Sequence, residues 1–126
     1  MSHHLRLVRM VTSSGTTPKT NTVHTLEDNQ SCLVVVDIAA RDSAGTDCAF
    51  WRLARGFTKA GGVLATTGAT TTIHNASTAG AATWTATLTT SGNLRIIMSF
   101  VGSAGLSVNW ECVGYVTKVN KSGAST

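Results

Sequence analysis

Residues 88–116 read LTTSGNLRIIMSFVGSAGLSVNWECVGYV, and this stretch decides the fold class. Apolar side chains occupy every second position in two runs, which comprise Leu94, Ile96, Met98 and Phe100 and then Leu106, Val108, Trp110 and Cys112. A period of two predicts β-strands. The segments 91–93 and 102–105 carry glycine, serine and asparagine, which tolerate the backbone angles of tight turns. We therefore predict three consecutive strands joined by hairpin turns.

The composition also favours a sheet protein of one domain. The chain has 126 residues, of which only 13% are charged, and it contains a single proline. A chain of this length can bury roughly two-thirds of its unfolded surface around one core. The abundance of threonine, valine, alanine and glycine suits pleated strands and tight turns better than solvated helices.

Further alternating segments bring the number of predicted strands to about eight. These strands cover residues 5–12, 22–27, 32–38, 48–58, 63–74, 81–90, 94–100 and 106–116. Segment 48–58 also fits helical spacing, but the glycines on both sides favour a strand between two hairpins. Segment 32–38 is apolar on both faces, which indicates a central strand. The fold class that follows is all-β, an antiparallel β-sandwich or jelly roll.

The chain divides into three parts by composition and charge. We assign residues 1–21 to an N-terminal arm with a first strand and loop, residues 22–118 to the β-sandwich domain, and residues 119–126 to a polar C-terminal tail. The net charge of +4 comes from the two ends, since the middle of the chain is nearly neutral. The basic residues Arg6, Arg9 and Lys19 are therefore candidates for contact with an acidic neighbouring subunit.

The sequence favours neither nucleic acid nor a membrane as a partner. Nucleic-acid binders concentrate basic and aromatic residues on one face or one helix, and no such concentration occurs. No apolar run approaches the ~18 residues of a spanning helix, and the N-terminus lacks the apolar segment of a secretion signal. Three cysteines without a CxxC pair indicate folding in a reducing compartment, with Cys32, Cys48 and Cys112 as small buried apolar residues.

Few side chains are available for catalysis or metal binding. Of six carboxylates, Asp42 and Asp47 flank a turn whose backbone they can cap, and Asp37 lies in an apolar strand. A carboxylate in that position needs a partner, for which Arg52 and Arg55 are the candidates. The four histidines show no metal-ligand spacing, and no nucleophile motif is present. We predict no catalytic residue, no cofactor, no metal and no enzymatic activity.

The tryptophans allow two interpretations. Trp51, Trp84 and Trp110 each lie in an alternating strand beside aliphatic residues, which favours a place in the core. If they were exposed on a sandwich, the same residues would form a ligand platform on which sugar rings stack. In that alternative the protein is a receptor-binding adhesin or carbohydrate-binding module that uses the loops 42–47, 75–80 and 102–105.

From residue 30 to residue 118 the order of elements resembles that of a known family. The elements are, in chain order, the Ala-Arg step at 40–41, the acidic glycine-containing turn at 42–47, the Phe-Trp-Arg-Leu segment at 50–53, the glycine pair at 61–62, Trp84 between small residues, the Leu-Arg-Ile segment at 94–96, the turn at 102–105 and Trp110. This pattern resembles the β-structured domain of tailed-bacteriophage virion proteins, of the tail-fibre tip, capsid-decoration or head-fibre type.

The resemblance implies a bacteriophage virion structural protein that acts by subunit binding, as a capsid-decoration or head-fibre protein or as a tail-fibre component. It further implies a place in the virion after assembly in the host cytoplasm. The implied partners are copies of the chain itself, assembled as a homotrimer, and other virion proteins. A host-surface glycan is the partner in the adhesin alternative.

Overall fold

The computed structural model describes residues 2–120, with side chains from Leu5 onward, and most of these residues are in strands. The strands are β1 (Ser2–Ser14), β2 (Lys19–Thr25), β3 (Gln30–Asp42), β4 (Cys48–Ala60), β5 (Val63–Ser77), β6 (Thr85–Ser91), β7 (Arg95–Val101) and β8 (Ser107–Asn120). A single 3-10 turn at Ala79–Ala81 separates β5 from β6. The expectation of about eight strands is confirmed.

The strands form two antiparallel sheets. The larger sheet has the order β1-β8-β3-β4-β5, and the smaller sheet has the order β2-β7-β6. Buried side chains from both sheets belong to one apolar core, so the prediction of an all-β sandwich is confirmed. β3 is the middle strand of the larger sheet, as its apolar character on both faces predicted. Within residues 2–120 no helix has the length and hydrophobicity needed to cross a membrane.

Turns fix the register between β3, β4 and β5. Asp42 Oδ1 accepts the backbone N–H of Thr46 at 2.7 Å, and the backbone N–H of Asp42 donates to the carbonyl of Asp47 at 3.1 Å. This is the turn-capping role predicted for Asp42. Gly61 and Gly62 have φ angles of 59° and 78° in the turn between β4 and β5, a conformation that glycine adopts without strain. Segment 48–58 is accordingly a strand, as predicted, and not a helix.

The stretch 88–116 contains three strands, but only one of its turns is a hairpin. β6 and β7 pair with one another across residues 92–94, whereas β7 and β8 lie in different sheets. Segment 102–106 therefore crosses between the sheets, and the predicted hairpin at 102–105 is wrong. Alternation reports which residues share a face, but it does not report which strands pair. Leu94 also departs from the predicted pattern, because it lies in the turn and is exposed.

The three tryptophans lie in the core and pack around Trp110. Between ring centroids, Trp110 lies 4.9 Å from Phe100, 5.7 Å from Trp51 and 6.1 Å from Trp84. The indole N–H of Trp110 donates to Ser13 Oγ at 2.9 Å. None of the three tryptophans is more than 7% exposed, so the core interpretation is confirmed and the ligand platform of Trp51, Trp84 and Trp110 is wrong. A ring that is packed inside the core offers no free face to a sugar.

The first strand predicted in the N-terminal segment is β1, and it pairs within the larger sheet. β1 pairs with β8 along its whole length, from Ser2 opposite Val119 to Ser14 opposite Ser107. At the other end of the chain β8 continues through Asn120, so the boundary predicted at residue 119 falls inside a strand. The remainder of the predicted C-terminal tail, residues 121–126, lies outside the described residues.

Candidate functional site

The larger sheet has one face in the core and one face that is exposed to solvent. In β3 the even-numbered residues from Gln30 to Asp42 are buried, while the odd-numbered ones are exposed or half-buried. We call the second surface the outer face. It comprises residues 31, 33, 35, 37, 39 and 41 of β3 together with the residues aligned with them on the other four strands of this sheet.

The register of the strands arranges the outer face in rows. One row is formed by Met10, Glu111, Ala39, Phe50 and Ala76, the next by Val8, Val113, Asp37, Arg52 and His74, and the third by Arg6, Tyr115, Val35, Ala54 and Thr71. Apolar side chains thus occur in neighbouring rows of the sheet, interrupted by charged side chains.

Much of the exposed apolar surface of the chain is on this face. Six of the ten large apolar residues that the structure leaves exposed lie here, namely Met10 (75%), Leu33 (48%), Phe50 (45%), Val8 (44%), Val119 (43%) and Tyr115 (41%). Single exposed apolar residues are normal on a soluble protein. Contiguous apolar patches are not, and they mark interaction surfaces.

An ion pair lies in the middle of the outer face. Arg52 donates from Nε to Asp37 Oδ1 at 2.6 Å and from a terminal nitrogen to Asp37 Oδ2 at 2.9 Å, which confirms Arg52 as the partner predicted for Asp37. The hydrogen bond and the charge of Asp37 raise the pKa of Arg52 above its ordinary value. The other candidate, Arg55, instead donates to the carbonyls of Gly68 and Leu88. Both carboxylate oxygens of Asp37 are therefore engaged in a fixed, planar contact.

Shallow depressions follow the outer face. One has a volume of about 760 Å³ and is lined by Phe50, Ile73 and His74 beside the Asp37–Arg52 pair. A second depression of about 560 Å³ lies further along the sheet, between Leu33 and Val119. Both are open to solvent, so the outer face is a broad, uneven surface and not a closed pocket.

Two further charged side chains on the outer face are free to bind a partner. Arg6 aligns with Tyr115, and Glu111 aligns with Met10, four residues further along β1. Neither takes part in an ion pair with any side chain of residues 5–120. The face therefore carries one unpaired positive and one unpaired negative group near its β1 edge.

The basic residues singled out in the sequence do not come together. Arg6 lies on the outer face, whereas Arg9 aligns with the buried Cys112 and so belongs to the opposite face of β1. Lys19 opens β2 in the smaller sheet, where it pairs with Phe100. All three are exposed. The three residues therefore do not form one basic surface, and a subunit contact through any of them stays a prediction.

Of the loops named for the adhesin alternative, 42–47 and 75–80 contact one another, and residues that flank the loops connect them to 102–105. The hydroxyl of Thr78 donates to Asp47 Oδ1 at 2.8 Å, and the backbone N–H of Ser43 donates to the carbonyl of Ser107 at 2.9 Å. Ser103 accepts the indole N–H of Trp84 at 3.0 Å. These contacts join segments 42–47, 78–84 and 102–107 into one polar rim.

The cysteines are free thiols, and two of them are buried. Burial raises the pKa of Cys32 from 9.0 to about 11, against a smaller opposite effect of the positive charge of Lys118. Burial also raises the pKa of Cys112. Cys48 is half-buried at the start of β4. Within residues 5–120, no three His, Cys, Asp or Glu side chains gather as metal ligands would.

The sequence predicts only part of this site. The apolar outer-face residues were not singled out, although the two-sided apolar pattern of segment 32–38 was the signal that could have found them. The same pattern indicates a central strand and also a second apolar face, and only the central position is among the predictions.

Comparison with known proteins shows a likeness of fold. No family model matches the chain, and no curated protein matches it at a significant level. The crystal structure of the Acinetobacter baumannii phage AM24 tailspike protein is similar, with a TM-score of 0.56 and 11% sequence identity. The match covers 97% of this chain and 27% of the tailspike chain. At this identity the likeness shows that the two chains share a β-fold.

Proposed function

We propose that this chain is a structural domain of a bacteriophage tail protein and that it acts in the virion by binding neighbouring subunits. The observation that carries the proposal is the likeness of its fold, over 97% of its length, to part of a phage tailspike protein. That part is only 27% of the tailspike chain. We therefore propose a position in the tail for this chain and do not propose for it any activity of the whole tailspike protein.

The surface of the domain supports binding in preference to catalysis. The outer face offers a broad apolar area, as protein interaction surfaces do. Its central carboxylate, Asp37, is held at both oxygens by Arg52 and is therefore poorly placed to take a proton from a substrate. We accordingly infer a structural protein that is not an enzyme.

The finer parts of the proposal concern assembly. We propose that copies of the chain associate as a homotrimer, that other virion proteins are the remaining partners, and that assembly takes place in the host cytoplasm. The free thiols of Cys32, Cys48 and Cys112 are compatible with folding in a reducing compartment. A tail position is preferred to a capsid-decoration or head-fibre position because the similar structure is a tailspike.

Immunogold electron microscopy tests the tail position. Antibodies raised against the purified domain are applied to phage particles that carry it, and to particles from which its coding sequence has been deleted as the control. We expect gold at the tail and none on the deletion particles. Label on the capsid, or equal label on both kinds of particle, would contradict the proposal.

A second candidate function is receptor binding by the polar rim. The observation that favours it is the meeting of segments 42–47, 78–84 and 102–107 at one end of the sandwich. Polar groups exposed on such loops are suited to a host-surface glycan. Binding of labelled domain to host cells, with and without enzymatic removal of surface polysaccharide, tests this function. Binding that is lost with the polysaccharide supports it, and an absence of binding to untreated cells opposes it.

A further inference from the structure

We propose that the outer face is the surface through which copies of this chain bind one another. The inference rests on the proposed function, since subunit binding is what that function requires, and it adds the place where binding occurs. The occupant of the face is another copy of the same chain.

The first reason is the apolar character of the face. Met10, Phe50, Val8, Tyr115 and Leu33 are all between 41% and 75% exposed in the single chain, and their strands are neighbours in one sheet. The opposite layer has no comparable surface, because the smaller sheet exposes one large apolar side chain near its edge, Leu94. Association through the outer face removes this apolar surface from water.

The second reason is the area of the face. β3 has 13 residues, which at about 3.4 Å per residue make it about 44 Å long. Five strands at a spacing of about 4.8 Å are about 24 Å wide. The outer face therefore measures roughly 1,000 Å², against the roughly 800 Å² per partner that a stable protein interface buries. The area suffices for a lasting contact between two subunits.

The third reason is the distribution of charge, which fits an identical partner. The outer face carries Asp37 and Glu111 as acids and Arg6, Arg41 and Arg52 as bases. Asp37 and Arg52 neutralise each other in their ion pair, Glu111 and Arg6 are of opposite sign and take part in no such pair, and Arg41, which donates to the carbonyl of Gly45, leaves the face with a net charge of only +1. A strongly acidic or basic face would repel its own copy. This face instead lets Glu111 of one copy approach Arg6 of another, a contact that can repeat between the identical subunits of a symmetric oligomer.

Matched leucine substitutions test the assignment. Leu33 on the outer face is 48% exposed, and Leu94 in the turn between β6 and β7 is 55% exposed, so both positions accept aspartate without disturbing the core. Native mass spectrometry and light scattering measure the oligomeric state of wild type, Leu33→Asp and Leu94→Asp. We expect wild type and Leu94→Asp to form the same oligomer. Leu33→Asp should raise the dissociation constant about tenfold or more.

Methionine oxidation provides a readout that needs no substitution. Met10 is the most exposed large apolar residue within residues 5–120, whereas Met98 is fully buried. If copies cover the outer face, peroxide should oxidise Met10 more slowly in concentrated than in dilute wild-type protein, while Met98 reacts slowly in both. Equal rates at Met10 across the dilution series, in a sample shown to change its oligomeric state, would overturn the assignment.

The outcomes separate this inference from the proposed function. A wild-type protein that is monomeric at every concentration, or a Leu33→Asp protein as oligomeric as wild type, overturns the outer-face assignment even if gold labels the tail. If the Leu33→Asp protein dissociates while wild type and Leu94→Asp stay oligomeric, the assignment is supported even if gold labels no particle. If Leu33→Asp does not fold, as judged by circular dichroism, Phe50→Asp and the oxidation series carry the same test.

Discussion

Replacement of Ser13 by alanine tests whether the first strand is part of the core. Ser13 is fully buried, and its Oγ accepts the indole N–H of Trp110 at 2.9 Å. The substitution removes this acceptor and little volume. It leaves the indole N–H of Trp110 without an acceptor. Because Trp110 is only 2% exposed, water has little access to replace Ser13 Oγ.

The structure also gives the size of the expected effect. A buried donor without an acceptor costs about 1–3 kcal/mol, so we expect Ser13→Ala to lower the free energy of unfolding by about 2 kcal/mol. For a domain of this size that corresponds to a decrease in melting temperature of about 6–10 °C. Ser103 is the matched control, because it accepts the indole N–H of Trp84 at 3.0 Å in a position that is only partly buried. Water can replace Ser103 Oγ, so Ser103→Ala should cost less than about 1 kcal/mol.

Urea unfolding followed by tryptophan fluorescence measures both variants. All samples are compared at the same protein concentration, since association with other copies adds to apparent stability. A loss below about 0.5 kcal/mol for Ser13→Ala, within the range of ordinary surface substitutions, would refute the reasoning. A larger loss of unfolding free energy for Ser103→Ala than for Ser13→Ala would also refute it, because burial would then not determine the cost of losing the indole hydrogen bond.

Three further predictions follow from particular side chains. Arg52→Ala should change the melting temperature no more than an ordinary surface substitution does, since Arg52 and Asp37 have side chains 52% and 33% exposed, and a clear decrease in thermal melts would contradict this. The neutral thiol of Cys32 stabilises the fold below pH 9, and this contribution is lost as the pH rises from 9.0 towards about 11. In urea unfolding, the free energy of unfolding should therefore decline less over this range for Cys32→Ala than for wild type. Equal declines in the two proteins would contradict the effect of burial on this thiol. Val34→Thr places a hydroxyl in the core and should cost about 1–3 kcal/mol, whereas Val35→Thr on the outer face should change unfolding of the monomer by less than about 0.5 kcal/mol and weaken only self-association. Analytical ultracentrifugation and urea unfolding together separate the last two effects, and an unchanged association of Val35→Thr would contradict the covered outer face.

The sequence predicted those parts of the fold that depend on local pattern. The turn at 42–47 and the glycine pair at 61–62 fixed two hairpins, because turn residues act on the backbone directly beside them. The pairing of Asp37 with Arg52 was also predictable, since the two residues are aligned across the hairpin between β3 and β4. In each case the partner is the next strand along the chain, and short connections make such strands neighbours.

What the sequence did not predict depends on contacts between distant segments. β1 pairs with β8, about 100 residues away in the chain, and no local pattern in residues 1–21 reveals that partner. Arg6 and Arg9 gave this segment the character of a polar arm, yet both are compatible with an edge strand, where charged side chains reach solvent from either face. Strand β8 likewise pairs in the larger sheet and not with β7. The sequence did not predict this, because the alternation of apolar and polar residues is the same whichever sheet a strand enters.

The candidate site follows from one observation that the sequence already contained. In antiparallel sheets one face is commonly solvated, and the strands then alternate apolar and polar residues. β3 does not alternate, because Val34 and Val36 face the core while Leu33 and Val35 lie on the outer face. Its composition is that of a strand buried on both sides, but the single chain covers only one. A second layer supplied by another copy resolves this mismatch, since it buries the outer face without requiring any further residue from the same chain.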